Sequence, residues 1–178
     1  MIRILSFIGI GLAVLIGAVL IYATTKPNTF QVARTASIKA TPEKIFPLIN
    51  DFQLFRSWSP YETKDPAMKR SFSGPSSGQG ATYAWEGNGN VGSGQMKITD
   101  SQPSSRVTIA LDMMRPLETH NTVEFTLVPK GNATDVTWTM QGPVPYIAKI
   151  IHVFFNMDRM VGDDFETGLV SLKVAAEG

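Results

Sequence analysis

The stretch ATYAWEGNGNVGSGQMKI, Ala81 to Ile98, decides the fold of this chain. Ala81, Tyr83 and Trp85 fall on one side of an extended backbone, with Thr82, Ala84 and Glu86 on the other. After a run of Gly and Asn the alternation resumes: Gly92, Gly94, Met96 and Ile98 point inward, and Ser93, Gln95 and Lys97 outward. A period of two on both sides of a Gly-rich turn reads as an antiparallel hairpin with one wet face. Gly92 and Gly94 inside a strand fit a sharp bend or room left for a ligand. The turn Gly87-Asn88-Gly89-Asn90-Val91-Gly92 also matches the dinucleotide fingerprint letter for letter. That fingerprint works only where a helix opens on the pyrophosphate, and here a strand follows, so the turn is expected to bind no nucleotide.

Working outward, the same alternation recurs in Val107, Ile109, Leu111 and Met113, in Val123, Phe125 and Leu127, and in Val136, Trp138 and Met140. Ser101-Gln102-Pro103-Ser104, Arg115-Pro116 and Lys130-Gly131-Asn132 supply the turns. The glycosylation sequon Asn132-Ala133-Thr134 falls in the last of these and reads as accidental. Upstream, Met68, Arg70 and Phe72 form a short strand before the turn Gly74 to Gly78, and Phe30 to Ile38 forms another. Between those two strands Thr41-Pro42-Glu43 starts a short helix, with a cap, a proline at the first position and an acid at the positive dipole end. Asn50-Asp51 restarts a second, carrying Phe52, Leu54, Phe55 and Trp58 and stopped by Pro60. Pro143 and Pro145 close the sheet and begin a helix expected to run to about Ala176. Ile147, Ile151, Phe154, Val161, Phe165, Leu169 and Leu172 place one apolar stripe along it. A single curved sheet must cover its apolar face, and this long helix is the element able to do so.

The amino terminus has a different character. From Ile4 to Tyr22 there is no charged side chain, and twelve of the 19 residues are Ile, Leu, Val or Phe. As a helix those residues span about 28 Å, close to a bilayer's hydrocarbon core of roughly 30 Å. A cleaved signal peptide needs a shorter apolar region, about 7–15 residues, and a small-x-small site. The exit offers Ile21 three positions before any cut after Ala23. An uncleaved single-pass anchor is therefore expected over 1–23, with a signal peptide or a buried core helix as alternatives. A short linker, 24–29, and one domain, 30–177, follow. Arg3 on one side and Lys26, Arg34 and Lys39 on the other leave the charge bias undecided. The short basic tail resembles a signal-anchor, which would place the domain on the extracytoplasmic side of the cell membrane. Gly9, Ala13 and Gly17 share one helix face at a spacing that lets two anchors approach, a candidate homodimer seam.

Apart from Arg3 the chain carries 15 basic and 15 acidic residues, with no Lys/Arg run, which argues against nucleic acid. It has no Cys, so disulfides, thiolate nucleophiles and Cys-based zinc sites are excluded, and the chain fits either side of a bacterial membrane. No cofactor is expected and no metal site, since only His120 and His152 are available. Asp158, Asp163 and Asp164 lack the spacing that converges side chains on one helix face and read as a solvated face.

Element order and motifs together resemble the helix-grip fold of START-like lipid-binding proteins, in the polyketide cyclase/dehydrase and lipid-transport branch. The resemblance covers about Phe30 to Glu177. It rests on Asn50-Asp51-Phe52 through Trp58-Ser59-Pro60, on Tyr83 through Asn88, on His120-Asn121-Thr122 with Glu124-Phe125-Thr126, and on Asn156-Met157-Asp158 through Gly168-Leu169. It implies an α+β domain: a curved antiparallel sheet of about seven strands over a long C-terminal helix, with two short helices between strands 1 and 2; the one transmembrane helix expected from the N-terminal composition precedes it. It also implies a pocket between sheet and helix that holds an apolar molecule.

Tyr83, Trp85, Met96, Met113, Phe125, Trp138, Phe154 and Met157 are the candidate ligand-binding residues, because aromatics and Met make a large, adaptable apolar wall. The alternative is that they fill the core. Glu118, His120 and Glu124, with Asp112, form the one candidate catalytic set, a histidine beside carboxylates. Val123, Phe125 and Leu127 take the other face of the same strand, so this set is expected to face solvent unless a bulge near Asn121 reverses the alternation. The expected function is membrane-tethered binding, with transfer as an extension, of a lipid or other hydrophobic small molecule, without chemistry. The alternatives are a cyclase/dehydrase-type enzyme and a non-catalytic domain that binds a protein partner.

Overall fold

Seven strands pair in the computed structural model, which describes residues 2–178, with side chains from Phe7 onward. They are β1 (Thr29–Ile38), β2 (Lys69–Ser73), β3 (Thr82–Glu86), β4 (Ser93–Gln102), β5 (Arg106–Arg115), β6 (Thr119–Lys130) and β7 (Ala133–Pro143). All pairs are antiparallel, in the order β1-β7-β6-β5-β4-β3-β2. β2 to β7 form a meander, and β1 closes on the last strand from Thr29 opposite Pro143 to Ile38 opposite Thr134. Register shifts at Ser93/Gly94 and at Ile98/Asp100 bend β4, because an extra residue on one strand increases local twist. Val107, Ile109, Val123, Phe125, Leu127, Val136 and Trp138 are buried on one face, as the alternation requires.

Helices α2 (Pro42–Asn50), α3 (Phe52–Phe55) and α4 (Pro60–Lys64) join β1 to β2. The expectation of two short helices stopped by Pro60 is corrected here: Pro60 opens a third. A proline at the first helical position loses no hydrogen bond, so Ser59-Pro60 starts a helix as Thr41-Pro42 does. At α3, Asp51 caps by accepting from the Gln53 amide at 2.7 Å. Trp58 behind it is buried, with its Nε1 donating to the Leu48 carbonyl at 2.7 Å.

The long C-terminal helix is present, but it begins at Met157 and not after Pro145. The structure has α5 (Tyr146–Phe154) and α6 (Met157–Glu177), broken at an extended Phe155 with φ −122° and ψ 134°. Asn156 restarts the chain: its Oδ1 accepts from the Arg159 amide at 3.1 Å, and Asp158 meets the dipole's positive end. α6 lies across the sheet and buries Phe165, Leu169 and Leu172, each contributing about 1.5–3 kcal/mol. Arg34 of β1 ties down its first turns, with 3.1 Å to Asp158 and 2.8 Å to Glu166.

The remaining helix, α1 (Ile2–Thr24), includes Phe7–Thr24, long and apolar enough to cross a membrane by length and composition. Only 6% of that window is buried, so it is no core helix of the domain. The Arg3 side chain and those of residues 4–6 lie outside the described residues. Near its end α1 meets α5, where the Tyr146 hydroxyl donates to the Leu20 carbonyl at 2.9 Å.

Candidate functional site

Between the concave face of the sheet and its helical cover lies a cavity of about 420 Å³. Tyr83 and Trp85 of β3, Met96 of β4, Leu111 and Met113 of β5, Phe125 of β6, and Trp138 and Met140 of β7 form the sheet side. Phe55 and Tyr61 form part of the cover, with Ala148 and Ile151 of α5 and Met157, Met160, Val161 and Phe165 of α6. Two glycines let aromatic rings lie flat in this wall. A Cβ at Gly94 would come within 2.8 Å of the Trp85 ring across the strand pair, and one at Gly168 within 2.6 Å of the Trp138 ring. Trp138 in turn stacks on Phe165 with ring centroids 4.0 Å apart.

Asn90, Pro116, Pro143, Pro145, Ile151 and Met160 line the cavity and are also exposed, so they mark its rim. The rim runs along one end of the sheet, past the β3–β4 and β5–β6 turns, the exit of β7 and α5. The β3–β4 turn is the Gly-rich fingerprint stretch, and it is a hairpin: Gly87 donates to the Gly92 carbonyl at 2.8 Å, and Gly92 takes a φ of +63°. No helix opens there.

The polar groups of the wall are mostly occupied. Glu62 accepts from the Tyr83 hydroxyl at 2.8 Å and pairs with Arg70 at 2.7 Å. Asp164 pairs with Lys64 at 2.6 Å beside the Tyr61 phenol. Burial pushes both tyrosine pKa values up, with the Asp164 charge adding to the shift at Tyr61 and the Glu62 hydrogen bond at Tyr83. Both phenols therefore remain donors. His152 has its pKa lowered, first by burial and then by the charge of Lys26. Of the wall residues, Trp138 and Asn121 each carry one buried polar atom, Nε1 and Oδ1, with no hydrogen-bond partner among the described residues.

Seven of the eight candidate ligand-binding residues, Tyr83, Trp85, Met96, Met113, Phe125, Trp138 and Met157, come together on this wall. Phe154 does not. It lies at the end of α5, 67% exposed, in a shallower groove with Lys26, Pro27 and Phe155, because the break at Phe155 ends the helix before its stripe can continue. Asp112, Glu118, His120 and Glu124 stay on the convex side: β5 and β6 pair from Arg106↔Thr126 to Met113↔Thr119 with no bulge near Asn121. There His120 Nδ1 lies 2.7 Å from Asp112 and its Nε2 3.8 Å from Glu118, all three well exposed, while Glu124 lies 4.0 Å from Arg106. Asp164, read as part of a solvated face, is half-buried and lines the cavity; Asp158 and Asp163 are exposed.

Glu62, Tyr61, Asn121, Ile151 and His152 also line the wall and are not among the candidate ligand-binding residues. Alternation around Val123 and Phe125 does put Asn121 on their side, a signal for that one residue. The Glu62–Arg70–Tyr83 cluster has none, because it depends on where α4 docks on β2 and β3.

Known proteins share this architecture. The chain is similar to the crystal structure of a protein from Chromobacterium violaceum, at 14% identity and a TM-score of 0.59, covering 86% of this chain and 99% of that one. It is similar to the solution structure of the Aha1 dimer from Colwellia psychrerythraea, at 22% identity and a TM-score of 0.59, covering 83% and 96%. A major latex-like protein from Panax ginseng matches at 11% identity and a TM-score of 0.59, over 85% and 100%. At such identities the likeness shows a common fold. Among curated proteins none matches the chain. The family model described as polyketide cyclase/dehydrase and lipid transport matches residues 29–177, from the first residue of β1 to the last of α6. With that model spanning the whole sheet, its helical cover and the cavity between them, the chain belongs to the polyketide cyclase/dehydrase and lipid-transport family.

Proposed function

We propose that the domain binds a lipid or other hydrophobic small molecule in its cavity while α1 tethers it to a membrane. The observation that carries this reading is the cavity itself, about 420 Å³ walled by aromatic, Met and aliphatic side chains, within the size range of small-molecule sites. Its carboxylates are engaged by Arg70 and Lys64, which favours holding a ligand over acid/base chemistry on it.

Native mass spectrometry of the full chain released from membranes, followed by organic extraction, tests the reading, and a co-purifying apolar molecule is expected. Replacing Leu111 by Trp in the wall should lower uptake of a fluorescent fatty acid about tenfold by filling the space a ligand needs. An empty wild-type chain, with no uptake of fatty-acid or isoprenoid probes, would falsify it. The finer elements are a single-pass anchor, an exported domain and pairing of anchors through Gly9, Ala13 and Gly17. Since the chain has no Cys, a single cysteine at Val170 labelled in intact cells reads the side, and one at Ala13 that cross-links reads the pairing. Protection of the first or silence of the second removes that element.

A further inference from the structure

The surface of α5 has no cover in the domain. Tyr146, Ile147, Ile151 and Phe154, with Phe155 after them, are 44–67% exposed, while Ala148 and Lys149 are buried. The one charged side chain of α5, Lys149, turns inward and donates to Asn28 Oδ1 at 2.6 Å, so the exposed face is apolar and uncharged.

Its position is set by α1. The Tyr146 hydroxyl bonds the carbonyl of Leu20, four residues before the end of α1 at Thr24, a distance of about 6 Å along a helix axis. A membrane that takes in Phe7–Thr24 therefore reaches the start of α5. That depth matches the roughly 5–10 Å to which apolar faces of interfacial helices sink, and tyrosine is enriched there. The cavity rim lies at this same end. β1 leaves α1 at Thr29 opposite Pro143, and Ile151 both lines the cavity and faces outward. Met114, beside the β5–β6 turn on that end, is exposed too.

We propose that α5 is immersed in the membrane interface beside α1, so that the cavity opens on the bilayer and its ligand enters from the lipid phase. The proposal rests on the tethered-binding reading above. A lipid surface is the occupant that fits, because the face continues the exposed apolar surface of α1 and carries no charge with which a protein partner would pair.

The absence of native Cys makes a direct test clean. The full chain is reconstituted in phosphatidylcholine vesicles with one cysteine at a time, at Leu12, Ile147, Phe155 or Val170, each bearing an environment-sensitive fluorophore. Brominated lipid and aqueous iodide serve as quenchers. Brominated lipid should quench Leu12, Ile147 and Phe155 about twofold and leave Val170, on the exposed side of α6, to iodide. Ile147 and Phe155 open to iodide while Leu12 is quenched by lipid would overturn the proposal and leave the anchor standing. Shielding of Ile147 and Phe155 from both quenchers would overturn it in favour of a protein cover. Leu12 open to iodide would remove the anchor, and the proposal with it.

Discussion

α5 and α6 continue one apolar spacing and end in opposite environments. On α6, Phe165, Leu169 and Leu172 are 0–2% exposed; on α5, Ile147, Ile151 and Phe154 are 44–67% exposed. A helical stripe specifies which side chains share a face. What covers that face depends on the direction the helix takes, and two residues, Phe155 and Asn156, reset that direction. α6 thereby lies on the sheet and stabilises it, and α5 is left against α1 at the cavity rim.

The largest expected effect comes from asking both helices for the same atoms. Leu172→Ala should cost about 2–5 kcal/mol and Phe165→Ala about 3–5 kcal/mol, by lost burial and the cavity left behind. Ile147→Ala should stay within about 0.5 kcal/mol, as surface substitutions do. Denaturant titration of the full chain in micelles measures all three. Equal losses in the two helices would break the contrast.

A smaller effect probes how closely α6 is pressed down. Gly168 faces Trp138, whose ring is held by Phe165 at 4.0 Å and edge-on by Trp58 at 5.6 Å, so an added methyl has no soft neighbour to displace. Gly168→Ala should gain up to about 1 kcal/mol in helix propensity and lose about 1–3 kcal/mol to overpacking. A net loss of up to about 2 kcal/mol is expected, and a stabilised variant would show that α6 can lift.

Most of the sheet was legible because period-two alternation and turn residues are local signals. The buried set Val107, Ile109, Val123, Phe125, Val136 and Trp138 follows from them directly. The helix break was not, since Ile147, Ile151, Phe154 and Val161 keep stepping by four, three and seven residues across it. The readable sign was Asn156 followed by Asp158, a cap and an acid in the first turn, and it was outweighed by the stripe. Pro60 misled in a similar way: Ser59-Pro60 has the form of a helix start, as Thr41-Pro42 does. Of the candidate site, the large apolar wall residues were legible through their strand faces. Glu62, Arg70 and Tyr83 meet only because α4 packs over β2 and β3, and nothing in their spacing encodes that meeting.

The smallest effect uses the two histidines as reporters of the two settings. His152 sits on the cavity side of α5, and burial, then Lys26, hold its pKa below 6.5. The folded chain resists that proton, so as pH falls through 6.5 the unfolded chain binds it first and stability declines. His120, on the convex face, has its pKa raised chiefly by the hydrogen bond to Asp112. Its contribution has the opposite sign: full below 6.5, and lost as pH rises through the folded value. In an NMR titration His152 should therefore titrate below the ordinary histidine value and His120 above it, with Asp112→Asn returning His120 toward the ordinary value. The His152 signal carries the more telling result. Were α5 free of the cavity, its imidazole would be hydrated and would titrate closer to an exposed histidine. A His152 that titrates at the ordinary histidine value would show α5 detached from the cavity.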